Sequence, residues 1–306
     1  MILHADAGPA HLAVLRITVF AMWLGLIATT DTSLYPGLPA TMIEPRGVTG
    51  FLPWEAILGS PVLVSGLHVA AIVGCVACIL GVRPYRPIAG ITFALILFHD
   101  AAAKSLGTYT NHAQLALLFL AGSLVLFSAA DRYGIGLRRR QAGAEDVWSY
   151  RTPMILAAVI VALTYSFIGA RRLFYGGLTV FSDDSLATWA VARTLQYSSF
   201  ELDGGMRLLE WPALLPLLGI GMAVTTIFEC MSPLAIRYQR YRWAWMIVIV
   251  CFHLMTLATM NILFWENLVL LAVLFTRLPD VVIRAIDRVS GVDASPRARG
   301  RSLASE

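Results

Sequence analysis

The chain has 306 residues, of which 58% are hydrophobic and 14% are charged, with a formal net charge of +4. Soluble domains carry about 25% charged residues, so this composition excludes an ordinary soluble domain and indicates an integral membrane protein. The basic character comes from clustered arginines. In a membrane protein such clusters bear on topology, so no nucleic-acid partner is expected.

Eight apolar segments are each long enough, at about 18–22 residues, to cross a bilayer as a helix. They predict an all-α integral membrane protein built as an eight-transmembrane-helix bundle. One transmembrane domain covers 1–280, and a largely disordered cytoplasmic tail covers 281–306. Asn261 marks the turn between the last two spans. The predicted spans are 11–30, 62–82, 85–103, 112–130, 153–170, 211–231, 243–260 and 262–279.

The distribution of basic residues orients these spans. With eight spans, the connections on the side of both termini hold sixteen arginines, whereas the other side holds six basic residues. Because cytoplasmic connections are enriched in Lys and Arg, this bias predicts that both termini are cytoplasmic. The expected location is the inner (cell) membrane, as a multi-pass protein in contact with membrane lipid.

The long connections fall on the outer side. Residues 31–61 are rich in Pro and Gly, and Trp54 and Phe51 are expected to anchor them at the membrane interface. In 171–210, Ser182 is a suitable N-cap and Asp183 suits the first turn of a helix. The sequence therefore predicts an amphipathic surface helix that begins after Ser182.

Polar and ionisable side chains recur in the outer half of the predicted bundle. Counting 1.5 Å per residue from Tyr85 places His99 and Asp100 about 21–23 Å along the third span and Lys104 about 28 Å along it. Ionisable groups inside a membrane usually face a cavity or a partner. The other members of this predicted outer set are His68, Asn111, His112, Arg171, Arg172, Glu266 and Asn267, with His253 near mid-depth.

Several of these residues also have a structural interpretation. Asp100 and Lys104 are spaced i, i+4 and can form a helix ion pair. Asn111, followed by Gln114, resembles a capping box. His68 can be a satisfied polar residue, and the adjacent arginines Arg171 and Arg172 can anchor a helix end at lipid head groups. Two further residues, Arg16 and Glu229, are expected to form structural pairs near the cytoplasmic ends of their spans.

Lys104 also has a catalytic interpretation. It is the only lysine of the chain, although an arginine-rich composition explains lysine scarcity in general. Lysine acts as a general base only when neutral, a form that burial favours. With His99 and His112 as relay or orienting groups, Lys104 could deprotonate a weak acid such as a hydroquinone. A paired, ionised Asp100 would oppose this role.

Several short motifs resemble the HTTM (horizontally transferred transmembrane) domain family, bacterial relatives of vitamin K-dependent γ-glutamyl carboxylase. The Tyr85–Arg86 pair, an apolar run and Lys104 reproduce the carboxylase spacing, and Asn111–His112 follow with about two extra residues between. Further similar stretches complete the resemblance over about 10–280, namely LRI at 15–17, TYSFIGARRL at 164–173, IFECMSP at 227–233 and CFHLMTLATMNILFW at 251–265.

The resemblance implies an eight-helix membrane fold with Lys104 as the base. In the carboxylase the matched lysine acts on reduced vitamin K, and oxygenation then yields the epoxide and a strong base that removes a Glu γ-proton. The carboxylase also has a lumenal domain that binds protein substrates, to which nothing corresponds here. Recognition of an exported peptide or protein would then need another subunit.

Two functions follow from the sequence. The first is a carboxylase-like membrane enzyme that performs base-initiated chemistry on a lipid-soluble substrate, with a quinone or hydroquinone as the expected cofactor or substrate. Its expected catalytic residues are Lys104, His112, His99 and Asn111. The expected substrate-binding residues are Tyr85, Arg86, His68, Arg171, Arg172, His253 and Glu266, with no metal ligands. The alternative is a non-catalytic accessory, transport or immunity-type membrane protein that shares only the fold.

Overall fold

The protein is built from helices throughout the residues described by its structure, a computed structural model. Those residues are 7–44, 50–105, 114–127, 129, 132–135, 147–196 and 202–289. The α-helices are α1 Pro9–Ala28, α2 Trp54–Leu58, α3 Pro61–Leu80, α4 Tyr85–Ser105, α5 Leu115–Leu124, α6 Val147–Gly176, α7 Asp183–Gln196, α8 Gly204–Glu210, α9 Leu215–Cys230, α10 Leu234–Arg237, α11 Gln239–Met260, α12 Trp265–Phe275 and α13 Leu278–Val289.

Each predicted span overlaps one of these helices, but the helices differ in length. In the described part of the chain, six are long and apolar enough to cross a membrane: α1, α3, α4, α6, α9 and α11. The remaining two predicted spans coincide with the shorter apolar helices α5 and α12. The fifth span was predicted too short, because α6 has 30 residues and is about 45 Å long.

Local sequence signals explain where several helices begin and end. The side chain of Ser60 accepts a hydrogen bond from the Leu63 amide and caps α3, which then starts with a proline. Gly81 ends α3 with φ of 62°, a left-handed conformation that glycine adopts without steric cost. Asn261 ends α11 in the same region, with φ of 58°, which confirms the predicted turn. The predicted helix after Ser182 is also confirmed, as α7.

The helices pack in two groups that meet along α6. In the first group, α3 lies between α1 and α4, and α5 contacts α1, α4 and α6. In the second group, α9 packs along α6, while α11 contacts α9 and α12. Gly169 of α6 lies against Glu229 and Cys230 at the end of α9, so close that a Cβ at this position would meet backbone.

Arg16 holds one end of the first group together. Its fully buried guanidinium donates hydrogen bonds to the carbonyls of Ile79, Ala129 and Tyr133, at distances of 3.0–3.2 Å. These carbonyls belong to the end of α3 and to the chain after α5. Arg16 therefore has a structural role, as predicted, but its hydrogen-bond partners are backbone carbonyls.

The opposite end of this group is covered by the connection between α1 and α3. Tyr35, Trp54 and Leu58 pack with Val64 of α3 and Ala102 of α4 in a small apolar cluster. The prediction of Trp54 as an interfacial anchor is wrong. Its ring is 1% exposed because α2 turns it inward, onto a stack with Phe98 at 4.9 Å between centroids.

Helix α13 is a feature that the sequence reasoning missed. It occupies the beginning of the segment that was predicted to be a disordered tail. Asp280 of α13 binds His11 of α1 at 2.9 Å, so α13 lies at the same end of the bundle as Arg16. Residues 290–306 of the predicted tail lie outside the described residues.

Candidate functional site: a histidine pocket and a second polar cluster

Two histidines come together in a pocket between α3 and α4. The ring centroids of His68 and His99 are 5.7 Å apart, with 40° between the ring planes. His68 lies in the first half of α3 and His99 in the last two turns of α4, so the antiparallel packing of these helices brings them to one level. The pocket is lined by Thr32, Tyr35, Leu58, Val64, Leu67, His68, Leu95, Phe98, His99 and Ala102.

Each of the two imidazoles has one buried nitrogen that lacks a hydrogen-bond partner among the described residues. These nitrogens are His68 Nδ1 and His99 Nε2. Buried polar atoms are nearly always hydrogen-bonded, and leaving one unpaired costs about 1–3 kcal/mol. Burial raises the pKa of the neighbouring Tyr35 phenol, and the nearby Asp31 adds to this, so the Tyr35 hydroxyl stays protonated. The pocket thus combines two buried imidazole nitrogens with the hydroxyl-bearing residues Thr32 and Tyr35 in its lining.

Lys104 is on a different side of α4. Its Nζ lies 2.5 Å from Asp100 Oδ2, and the Asp100 side chain is only 6% exposed. Because successive residues of a helix are rotated by about 100°, Lys104 lies about 140° around α4 from His99. It shares its side with Phe93, which packs on Gly122 of α5. Lys104 is thus in the predicted i, i+4 ion pair, and the described residues that line the histidine pocket do not include it.

Tyr85 and Arg86 of the carboxylase-like motif are not among the residues that line the pocket. Asn111 and His112 lie outside the described residues. Tyr85 and Arg86 begin α4, about 20 Å from His99 along the helix. The Tyr85 ring is buried at the Arg16 end of the bundle, and its hydroxyl has no hydrogen-bond partner among the described residues. Among the described residues of this motif, only Lys104 is near the level of His99.

A second polar cluster lies between α6 and α9. Arg172 Nη1 donates to Glu229 Oε2 at 2.6 Å and to Thr226 Oγ1 at 2.7 Å. The Glu229 side chain is 2% exposed and that of Arg172 is 16% exposed. The sequence reasoning placed Arg172 at the outer end and Glu229 near the cytoplasmic end of its span. That separation is wrong, because α9 packs on the second half of the long α6 and brings both to one level.

His253 extends this second region. The Tyr165 hydroxyl lies 2.9 Å from His253 Nε2, and Phe264 packs against the His253 ring at 5.3 Å. Glu266 is buried in the first turn of α12, with 6% exposure. The last residue, Arg171, is on the surface beside the Tyr175 ring. Sequence reasoning missed the role of Tyr165, although a tyrosine hydroxyl inside an apolar span needs a partner.

The polar residues predicted for the outer half of the bundle therefore lie in two separate regions of the described structure. His68 and His99 lie between α3 and α4, whereas Arg172 and His253 lie among α6, α9 and α11. The described residues bring no group of three His, Cys, Asp or Glu side chains together in an arrangement that could hold a metal ion. Comparisons with known proteins found no relative of this chain. No family model, no curated protein and no solved structure matches the chain.

Proposed function

We propose that this multi-pass membrane protein binds the hydroxyl group of a lipid-soluble substrate, of the quinol class, in the pocket between α3 and α4. The observation that carries the proposal is the pair of buried nitrogens, His68 Nδ1 and His99 Nε2, which have no hydrogen-bond partner among the described residues. A water molecule or a substrate hydroxyl would complete their hydrogen bonds.

The chemistry proposed for this pocket is proton transfer from a weakly acidic hydroxyl. A neutral imidazole offers one acceptor and one donor nitrogen, and its unperturbed pKa lies closest to neutrality among side chains. One histidine would accept the substrate proton while the other orients the oxygen. In this arrangement Lys104 lies outside the pocket and is not the base, because its amine is paired with the Asp100 carboxylate.

The pocket and its surroundings suit an amphipathic molecule. Apart from Thr32, Tyr35 and the histidines, the pocket lining is apolar. The pocket has room for about one water molecule, so only the hydroxyl-bearing edge of a larger substrate would enter it. The rest would lie along the exposed apolar surface of α3, where Val69 and Val73 are more than half exposed.

A non-catalytic accessory or transport role is the second candidate. The observation that favours it is the Lys104–Asp100 ion pair, which occupies the amine that the family resemblance assigns to catalysis. Under this alternative, which includes an immunity-type role, the protein would share only the fold that the order of its sequence motifs suggests.

Loss of either pocket imidazole should weaken binding of a quinol. We expect His99→Phe and His68→Phe to bind a short-chain ubiquinol analogue about 2- to 13-fold more weakly than wild type, since a hydrogen bond contributes about 0.5–1.5 kcal/mol. The measurement is equilibrium binding to purified protein in nanodiscs, with quinone extracted from the wild-type protein identified in parallel.

His11→Phe provides the matched control. It makes the same replacement at the opposite end of the bundle, where His11 contacts Asp280. Equal affinities of wild type and all three variants, with no quinone recovered, would refute the proposed ligand and favour the non-catalytic role.

We also propose the eight-span topology in the inner membrane with both termini in the cytoplasm. The support is the arginine bias of the connections. Reporter fusions after residues 40 and 195 are expected to report an extracytoplasmic position, and fusions after 141 and 300 a cytoplasmic one. A cytoplasmic reporter signal at 40 or an external one at 141 would contradict this arrangement.

A further inference from the structure

Helix α13 has a surface that its contacts with the protein do not use. It begins three residues after α12 ends and packs beside α1 at the Arg16 end of the bundle. Pro279 is buried there, and Val282 and Ile283 pack against the main apolar core. These contacts fix which side of α13 faces the protein.

Both acidic side chains of α13 are paired with side chains of the bundle. Asp280 binds His11 of α1, with 2.9 Å between Oδ1 and Nε2. Asp287 accepts hydrogen bonds from Arg132 Nη2 at 2.7 Å and from the Tyr133 hydroxyl at 2.9 Å. Their negative charges are therefore compensated by partners within the bundle.

The exposed side of α13 is basic along one edge and apolar along the adjacent edge. The basic edge consists of Arg277, just before the helix, and of Arg284 and Arg288. The apolar edge contains Leu278, which is 43% exposed, and Val281, which is 52% exposed. Among the described residues, no acidic side chain forms an ion pair with these arginines. Arginines beside exposed aliphatic side chains are the surface pattern of helices that lie in a membrane interface.

We propose that this exposed face of α13 rests on anionic lipid head groups, with Leu278 and Val281 dipping into the acyl boundary. Charge complementarity carries the choice of partner, because both acids of α13 are paired with side chains of the bundle whereas its arginines are exposed. The position of α13 is consistent with this proposal, because only Thr276 and Arg277 separate α13 from the apolar helix α12. A helix placed in this way has a bilayer surface within reach, and anionic lipid attracts arginine at about 1 kcal/mol per residue, a fivefold effect.

The inference is independent of the proposed quinol site, which lies at the other end of α3 and α4. It is tested on the full-length protein with a polarity-sensitive fluorophore attached at Val281→Cys. Cys251, which is exposed, and Cys230, which is partly exposed, are first replaced by alanine. The labelled protein is placed in nanodiscs of phosphatidylcholine, with or without phosphatidylglycerol.

Phosphatidylglycerol is expected to shift the emission to the blue and to expose the label to quenchers on lipid head groups. The shift should weaken at high salt, which screens the attraction. In Arg284→Gln/Arg288→Gln, the lipid-contacting population should fall by about fivefold for each arginine removed. Arg284→Lys/Arg288→Lys, which preserves the charge, should behave like the starting protein, and so should Arg207→Gln on a distant surface.

Three results would overturn the proposal. One is a label equally water-exposed in both lipid compositions, and another is a glutamine variant that responds to phosphatidylglycerol as strongly as the starting protein. The third is a blue-shifted label that head-group quenchers do not reach, because that result would indicate that another protein or a second copy covers α13.

Discussion

Arg172→Ala is expected to lower the free energy of unfolding by about 3–5 kcal/mol, because it leaves a buried carboxylate without its partner. Glu229 is 2% exposed and receives two hydrogen bonds from the Arg172 guanidinium. Glu229→Ala should be similarly destabilising, since the guanidinium would then have only Thr226 as a side-chain acceptor among these contacts. Unfolding of purified protein, followed by heat or denaturant, measures both effects.

The double variant Arg172→Met/Glu229→Leu separates the energy of the pair from the cost of breaking it. Replacing both members of a buried ion pair by apolar residues of similar size is often neutral, so the double variant should recover most of the loss. Arg207→Ala is the matched control, because the Arg207–Asp203 pair has side chains that are 70% and 63% exposed. It should cost at most about 1 kcal/mol. If Arg172→Ala costs no more than Arg207→Ala, the packing of α6 on α9 described above is incorrect.

Lys104→Ala is expected to destabilise the protein by about 1–3 kcal/mol, since it leaves the buried Asp100 carboxylate without its hydrogen-bond donor. Lys104→Arg should retain nearly full stability because it keeps a cation within reach of Asp100. Since Lys104 is the only lysine, labelling by an amine-reactive reagent and mass spectrometry reports on it directly. An ammonium group held by Asp100 should react slowly, and Asp100→Asn should accelerate the reaction.

The same variants distinguish the ion pair from the base that the family resemblance implies. Arginine stays protonated above pH 12 and cannot act as a general base at neutral pH. If quinol chemistry is detected, the ion-pair interpretation expects Lys104→Arg to be as active as wild type at equal membrane abundance. Loss of activity in this variant, together with fast labelling of wild-type Lys104 near neutral pH, would instead identify Lys104 as the base.

The angular positions of side chains around α4 follow from the sequence, but counting depth along the span does not consider them. His99 and Lys104 are near one level, but five residues of a helix rotate their side chains about 140° apart. The pairing of Lys104 with Asp100 follows from i, i+4 spacing, which predicts the contact observed at 2.5 Å. The exclusion of Lys104 from the histidine side of α4 was therefore predictable.

The sequence by itself determined that this is an all-helical chain with several segments able to cross a membrane, because apolar runs and caps are local signals. Gly81, Asn261 and Ser182 mark helix boundaries through their own backbone and side-chain preferences. The position of Glu229 was decided only by tertiary structure. Depth counting assumes that spans have equal length and begin at one level, whereas α6 is 30 residues long and α9 packs on its second half.

Tertiary structure also decided which polar groups meet. His68 and His99 are 31 positions apart in the sequence, and they become neighbours because α3 and α4 pack antiparallel over their length. Arg172, which was predicted in the same outer half, and His253, which was predicted near mid-depth, lie among other helices. Depth along a span can be read from residue number, whereas the lateral arrangement of helices depends on side-chain packing between segments distant in sequence.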